Sequence, residues 1–267
     1  MKSFLAATAA VATVASAQAG LIYSTDFDSY SSAALSGQTA WIGTGGSWAV
    51  SGTMNTGQTS YLVGADPTST DKAVRCTTEK YLSSGRTKSY LDLSNSGKWA
   101  AASTGGNNIL RTTLDVYVQN LNPLACSFGI MNWQTSAQAS SGLMIDYQGK
   151  VWYAIDGYSQ TALFNNRTNT STTVTLNAWH TLQLDMNVTT GACVGYVDGV
   201  QVASFTSTKT GGPFASMMMS TTDAPSGGST TSNGFGYFDN YSVSAVPSAG
   251  AAALVGMAGL LARRRRG

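Results

Sequence analysis

Apolar and polar residues alternate with a period of two along this chain, and a helical period is scarcely visible. Over Ile109–Val118, the residues Leu110, Thr112, Leu114, Val116 and Val118 share one face, while Arg111, Thr113, Asp115 and Tyr117 share the other. From Trp179 to Val188, His180, Leu182, Leu184, Met186 and Val188 face one way, against Thr181, Gln183, Asp185 and Asn187. Side chains of a strand point to opposite faces in turn, so each pattern describes a sheet with one buried face. The dipeptide Asp198-Gly199 suits the positive φ angles of a type I′ turn and makes residues 194–205 a hairpin. Further strands are expected at 21–27, 40–50, 72–77, 88–93, 125–133, 142–147, 151–156, 215–220 and 234–243. Gly-rich breaks at 43–46, 105–108, 211–213 and 227–228 separate them. About a dozen short strands without helices imply two packed antiparallel sheets, an all-β fold.

The two ends break this pattern. Lys2 precedes a run of Ala, Val, Leu and Thr at 4–14, and small residues follow at Ala15, Ala17 and Ala19. That is a signal peptide over 1–19, cut by signal peptidase after Ala17 or Ala19. Its apolar run is too short to span about 30 Å of hydrocarbon. At the other end, residues 245–262 carry no charge, and Arg263, Arg264, Arg265 and Arg266 follow at once. Such a stretch can cross a bilayer as a helix, with its arginine block on the cytoplasmic side. Everything before Ala245 then lies outside the cytoplasm, as the signal peptide also requires. The chain divides into a signal peptide (1–19), one β domain (20–244) and a sorting or membrane-anchor segment (245–267).

The last 22 residues, VPSAGAAALVGMAGLLARRRRG, resemble a PEP-CTERM sorting signal: a Pro-containing motif, an apolar helix and a terminal Arg cluster. Val246 and Pro247 match the motif, whereas Ser248 and Ala249 stand where Glu and Pro would complete it. The resemblance implies an exosortase-like processing enzyme, membrane contact through the helix before processing, and display at the cell envelope, the surface or the extracellular matrix.

Charge must be read without these segments. Lys2 and the four terminal arginines account for five of the 15 basic residues, leaving ten against 13 acidic ones, a net charge near −3. A domain of that charge gives no support for nucleic-acid binding, which needs a basic face. Three cysteines, Cys76, Cys126 and Cys193, permit one disulfide in an oxidising exterior and leave one thiol over.

Residues 178–205, AWHTLQLDMNVTTGACVGYVDGVQVASF, resemble the central hairpin of concanavalin A-like and laminin G-like jelly rolls. In that fold a Trp-His pair opens one strand and a Tyr-Val-Asp-Gly turn closes the next. IYSTDFDSY (22–30) and NGFGYFDNYSVS (233–244) are similar to its first and last strands, which lie side by side in one sheet. The resemblance implies a two-sheet antiparallel jelly-roll sandwich. That fold serves lectins, glycosidases, adhesion modules and lyases alike, so it does not set a function.

Chemistry is sparse. Glycosidases need two carboxylates across the scissile bond. This chain holds a single Glu, Glu79, and its best all-Asp pair is Asp146 with Asp156. His180 is the one histidine, and its place on an apolar strand face reads as a packed core residue. One histidine and scattered cysteines do not make a zinc site. Binding signals are stronger. Asp26 and Asp28 share one strand face, and Asp239 with Asn240 sits on the last strand, so paired end strands would gather oxygen ligands suited to calcium. The plain alternative is an ordinary polar strand surface. Trp133, Trp152, Tyr153 and Tyr158 flank loops around Gly149 and Gly157 and could stack on the apolar faces of sugars, or simply fill the core. The expectation is an exported, non-catalytic binding or structural module for glycan or extracellular polysaccharide. The alternative is a degenerate or unusual carbohydrate-active enzyme, a glycosidase or polysaccharide lyase.

Overall fold

A computed structural model describes residues 19–51, 59–79, 86–120, 125–135, 138–157, 167–222 and 233–248. The expected signal peptide up to Gln18, Tyr158, and residues 249–267 with most of the expected C-terminal helix and the terminal arginines lie outside these residues. In chain order the strands are β1 (Gly20–Thr25), β2 (Ala49–Ser51), β3 (Tyr61–Ala65), β4 (Lys72–Glu79), β5 (Arg86–Tyr90), β6 (Ile109–Val118), β7 (Cys126–Thr135) and β8 (Gln138–Asp146). They continue with β9 (Lys150–Gly157), β10 (Arg167–Thr173), β11 (Trp179–Asn187), β12 (Ala192–Val197), β13 (Val200–Thr206), β14 (Ala215–Thr222) and β15 (Asn233–Val246). The short helix α1 (Lys98–Ala102) is a brief interruption.

The first sheet runs β13-β12-β11-β6-β15-β4-β3, with β1 also paired to β15; the second runs β10-β9-β8-β7-β14-β5-β2. Their pairings are antiparallel throughout. The end strands lie side by side, and the Asp198-Gly199 turn joins β12 to β13 with φ of 51° and 78°. The alternation along β6 is realised up to Val116, with Leu110, Thr112, Leu114, Val116 and Val118 all buried, and Tyr117 on the other face is buried as well. A shared core joins the sheets, in which Phe128 of β7 meets Phe238 of β15 edge to face at 6.3 Å. Gly236 leaves room for that ring, because a Cβ there would come within 2.7 Å of it. Hydroxyls also stitch sheet to sheet: Tyr61 donates to the carbonyls of Thr87 and Met218, and Tyr241 to that of Ser216. Losing a phenyl ring such as Phe238 from this core costs about 3–5 kcal/mol.

Several expectations are corrected. Residues 40–48 form a loop, and only Ala49–Ser51 continues as a strand. Gly43 and Gly45 take positive φ, and the carbonyl of Gly46 accepts the amides of Ala40 and Trp41, which folds the segment back on itself. The strands β3 and β10 were not foreseen, the first being short and the second, RTNTSTT, almost wholly polar. Each cysteine is a buried thiol, with no disulfide. Cys76 on β4 and Cys193 on β12 are separated by three strands of one sheet, and Cys126 belongs to the facing sheet. With strands about 4.8 Å apart, Cys76 and Cys193 lie beyond disulfide reach of each other. At the C-terminus, Ala245 and Val246 belong to β15 and are buried, paired with Leu110 and Ile109 of β6. The domain therefore runs past residue 244. Among the described residues no helix is long and apolar enough to cross a membrane.

His180 lies at the start of β11, its side chain only 12% exposed. Its Nδ1 meets Asp198 Oδ2 at 2.8 Å and its Nε2 meets the carbonyl of Thr175 at 2.8 Å. The ring ties the hairpin turn back to the strand entrance, and its Nε2, facing a carbonyl, is spent as a donor rather than poised as a base.

Candidate functional site

Two of the four aromatic residues expected to bind sugars are gathered. Trp133 and Trp152 lie on the outward face of the second sheet, in a separate cluster with Met131, Ala139, Met144, Ala154 and Ala215. Their ring faces are occupied by cations. The Lys88 ammonium sits 3.7 Å from the centre of the Trp133 ring, and the Arg167 guanidinium lies 4.5 Å over Trp152. Tyr153 turns to the other face of its strand and stacks on Phe205 at 4.7 Å.

The carboxylate pair Asp146 and Asp156 is committed to loops. Asp146 accepts the amides of Gln148 and Lys150 through Oδ1 and the indole N–H of Trp152 through Oδ2. Burial would raise the Asp156 pKa, but hydrogen bonds from Ser207 and Thr208 outweigh it and hold the carboxyl below the usual range. A glycosidase acid must instead keep its proton.

Asp26, Asp28 and Asp239 reach the same region by different routes. Asp26 Oδ1 accepts the Asp28 amide at 3.2 Å, and Asp28 Oδ1 accepts the Lys72 amide at 2.8 Å. Asp239 faces Asp115 across the β15–β6 ladder, just before a register shift where Asn240 takes φ 47°. Burial, reinforced by the charges of Asp115, Asp66 and Asp28, pushes the Asp239 carboxyl up to about 7. Sequence reasoning missed Asp66 and Asp115. The alternation placed Asp115 on the polar face of β6, but only strand register could set it opposite Asp239. Among the described residues no three His, Cys, Asp or Glu side chains are placed to hold one metal ion.

A cleft of about 830 Å³ opens beside these residues, between β1, the 239–242 turn of β15 and the loop that follows β1. Ser24, Thr25, Asp26, Ser29, Gln38, Thr39 and Asn240 are among the residues that line it. Its aromatic side is rigid. Tyr23 and Tyr30 share a 2.6 Å hydroxyl contact, the Trp48 indole donates to Tyr30, and Tyr23 meets Trp41 edge to face at 5.7 Å. Burial and the neighbouring Tyr30 hydroxyl push the Tyr23 phenol up, so it stays a neutral O–H group. Gln38 pins the loop, donating to the carbonyls of Ser31 and Ala34 and accepting the Ser31 amide. Lys72 pins it from below through the carbonyls of Asp28 and Tyr30.

The fold is all-β and jelly-roll-like. A carbohydrate esterase of the Shiga toxin-encoding bacteriophage phi24B superposes with a TM-score of 0.50 at 16% identity, over 86% of this chain and 100% of that one. The binding domain of botulinum neurotoxin serotype C1 superposes with a TM-score of 0.51 at 11% identity, over 86% of this chain. This chain spans only 50% of the neurotoxin domain. No family model matches the sequence. No curated protein matches it either. At such identities the likeness speaks for the fold alone.

Chemically, the cleft offers many neutral donors and acceptors, one carboxylate and a few aromatic edges. No lysine, arginine or histidine is among the described residues that line it. The residues come from 23–31, 37–40 and 240–242, and of them the sequence singled out only Asp26 and Asn240, as oxygen ligands rather than as a cleft wall.

Proposed function

We propose that this chain is an exported, non-catalytic carbohydrate-binding module of concanavalin A-like type, and that the cleft beside β1 holds its ligand. The observation that carries this is the lining: a pinned wall of hydroxyls, amides and one carboxylate against aromatic rings. Sugars present hydroxyls that both donate and accept, and C–H faces that pack on aromatics. With Asp26 in the wall and no lysine, arginine or histidine among the described residues that line it, the fitting ligand is a neutral glycan. The phage esterase shows that the fold can serve carbohydrate chemistry, and it adds no more than that.

Export, signal-peptidase cleavage and exosortase-like sorting to the envelope belong to the same proposal. The pairing of Gly20 with Ala245 supports it, because the leader and the tail then leave the domain at one place.

A broad glycan array, screened with the full chain, tests the reading. Neutral oligosaccharides should be retained and no reducing sugar, acid or unsaturated product released. Asp26→Ala should weaken retention about tenfold, the loss of one charge-assisted hydrogen bond, with unchanged melting. A released product would favour the enzyme alternative, and binding indifferent to Asp26→Ala would move the site elsewhere.

A further inference from the structure

On the outward face of the second sheet, two donors are buried without an acceptor among the described residues. Lys88 of β5 is only 9% exposed. Among the described residues its ammonium meets the rings of Trp133, at 3.7 Å, and Tyr90, at 5.8 Å, and no carboxylate. Burial alone draws its pKa down to about 8. Beside it Trp133, 3% exposed, carries an indole N–H with no hydrogen-bond partner. A buried charge is tolerated when it is paired, and aromatic faces offset its desolvation only in part. Asp146, on the same face, is already engaged by Trp152 and two backbone amides.

The surroundings say what kind of ligand fits. Met131, Met144, Ala139 and Ala215 form an apolar floor, and the half-buried Tyr90, Phe214 and Trp152 border it. We propose that this face is a second binding site, separate from the cleft, for a carboxylate carried on a body with an apolar face, its anion shared by Lys88 Nζ and Trp133 Nε1. The carboxylate supplies the missing counter-charge and accepts a hydrogen bond from the indole N–H, while the body packs against the half-buried Tyr90, Phe214 and Trp152 at the border. A sugar uronate and an arene carboxylate share this chemistry. The site is independent of the neutral-glycan reading, because it uses neither β1 nor the loop after it.

Calorimetric titration of the full chain tests it, with galacturonate oligomers and benzoate as probes and their methyl esters as uncharged partners. At least one acid should bind, its ester at least tenfold more weakly, and the acid that binds identifies the source. Lys88→Met should abolish the preference without lowering the melting temperature, since it removes an uncompensated buried charge. Lys88→Arg should retain much of the preference, and Trp133→Phe should weaken acid binding several-fold. Bound acid should also raise the Lys88 pKa, followed by NMR of its side chain. Equal binding of acid and ester, no binding of either acid, or full acid binding by Lys88→Met overturns the proposal.

Discussion

Asp239 shows how one residue records its neighbours. Its carboxyl is half-buried, opposite Asp115 and within the field of Asp66 and Asp28, and its pKa rises to about 7. The unfolded value is about 3.9. A group raised in the folded state contributes fully below the unfolded pKa, and that contribution is lost as pH rises through the folded one. The domain should therefore lose stability between about pH 4 and pH 7 through this residue. Asp239→Asn, always neutral, should match wild type at pH 4 and exceed it at pH 8 by about 1–2 kcal/mol, a figure reduced for the solvent that reaches the group. Urea melts at the two pH values measure this, and equal differences at both would remove the electrostatic account. The same melts in millimolar calcium address the ion expected from the sequence: calcium held by Asp26, Asp28 and Asp239 would relieve the repulsion and flatten the pH slope, magnesium much less. An unchanged slope in chelator and in calcium marks the group as polar surface.

At the level of elements, legibility follows burial. The strands β6 and β11 could be read because each has one face in the core, so alternation and register carry the same information. The hairpin could be read because Asp198-Gly199 must supply positive φ. β10 is an edge strand of polar residues, with no buried face to impose a pattern. The aromatic residues of β7 and β9 were visible as types, but Lys88 comes to Trp133 across β14, a neighbourhood set by sheet order rather than by chain distance. The cleft was least visible, because its loop is held by backbone carbonyls that any sequence has. Gln38 is the exception, a single side chain making three bonds to Ser31 and Ala34. Gln38→Ala should cost about 1 kcal/mol of stability, since these bonds are partly solvated. It should also speed amide exchange at Ser31 and lower glycan affinity about tenfold. Faster exchange with unaltered affinity would separate the loop from the binding site.

For the whole molecule, the organising contact is the ladder between the two ends of the domain. Gly20 pairs with Ala245 and Leu21 with Ser244, while β15 continues on its other side to Val246 opposite Ile109. Cleavage after Ala19 would leave Gly20 as the first rung, and cleavage after Ala17 would leave two spare residues, so either cut spares the sheet. The C-terminal cut is more constrained, because Ala245 and Val246 are buried in the ladder. The mature protein should thus begin at Gln18 or Gly20, end at or beyond Val246, and lack Arg263 to Arg266. Mass spectrometry of terminal peptides from purified envelope material reads both ends. A chain of residues 20–248 should melt with the full chain, whereas ending at Val243 should lower stability by roughly 1–3 kcal/mol, the burial of two small apolar residues. The thermal shift separates the structural claim from the sorting claim. Material that keeps Lys2 together with the four arginines would end the sorting account, while an undisturbed melt after truncation at Val243 would show that the ladder does not need its last rungs.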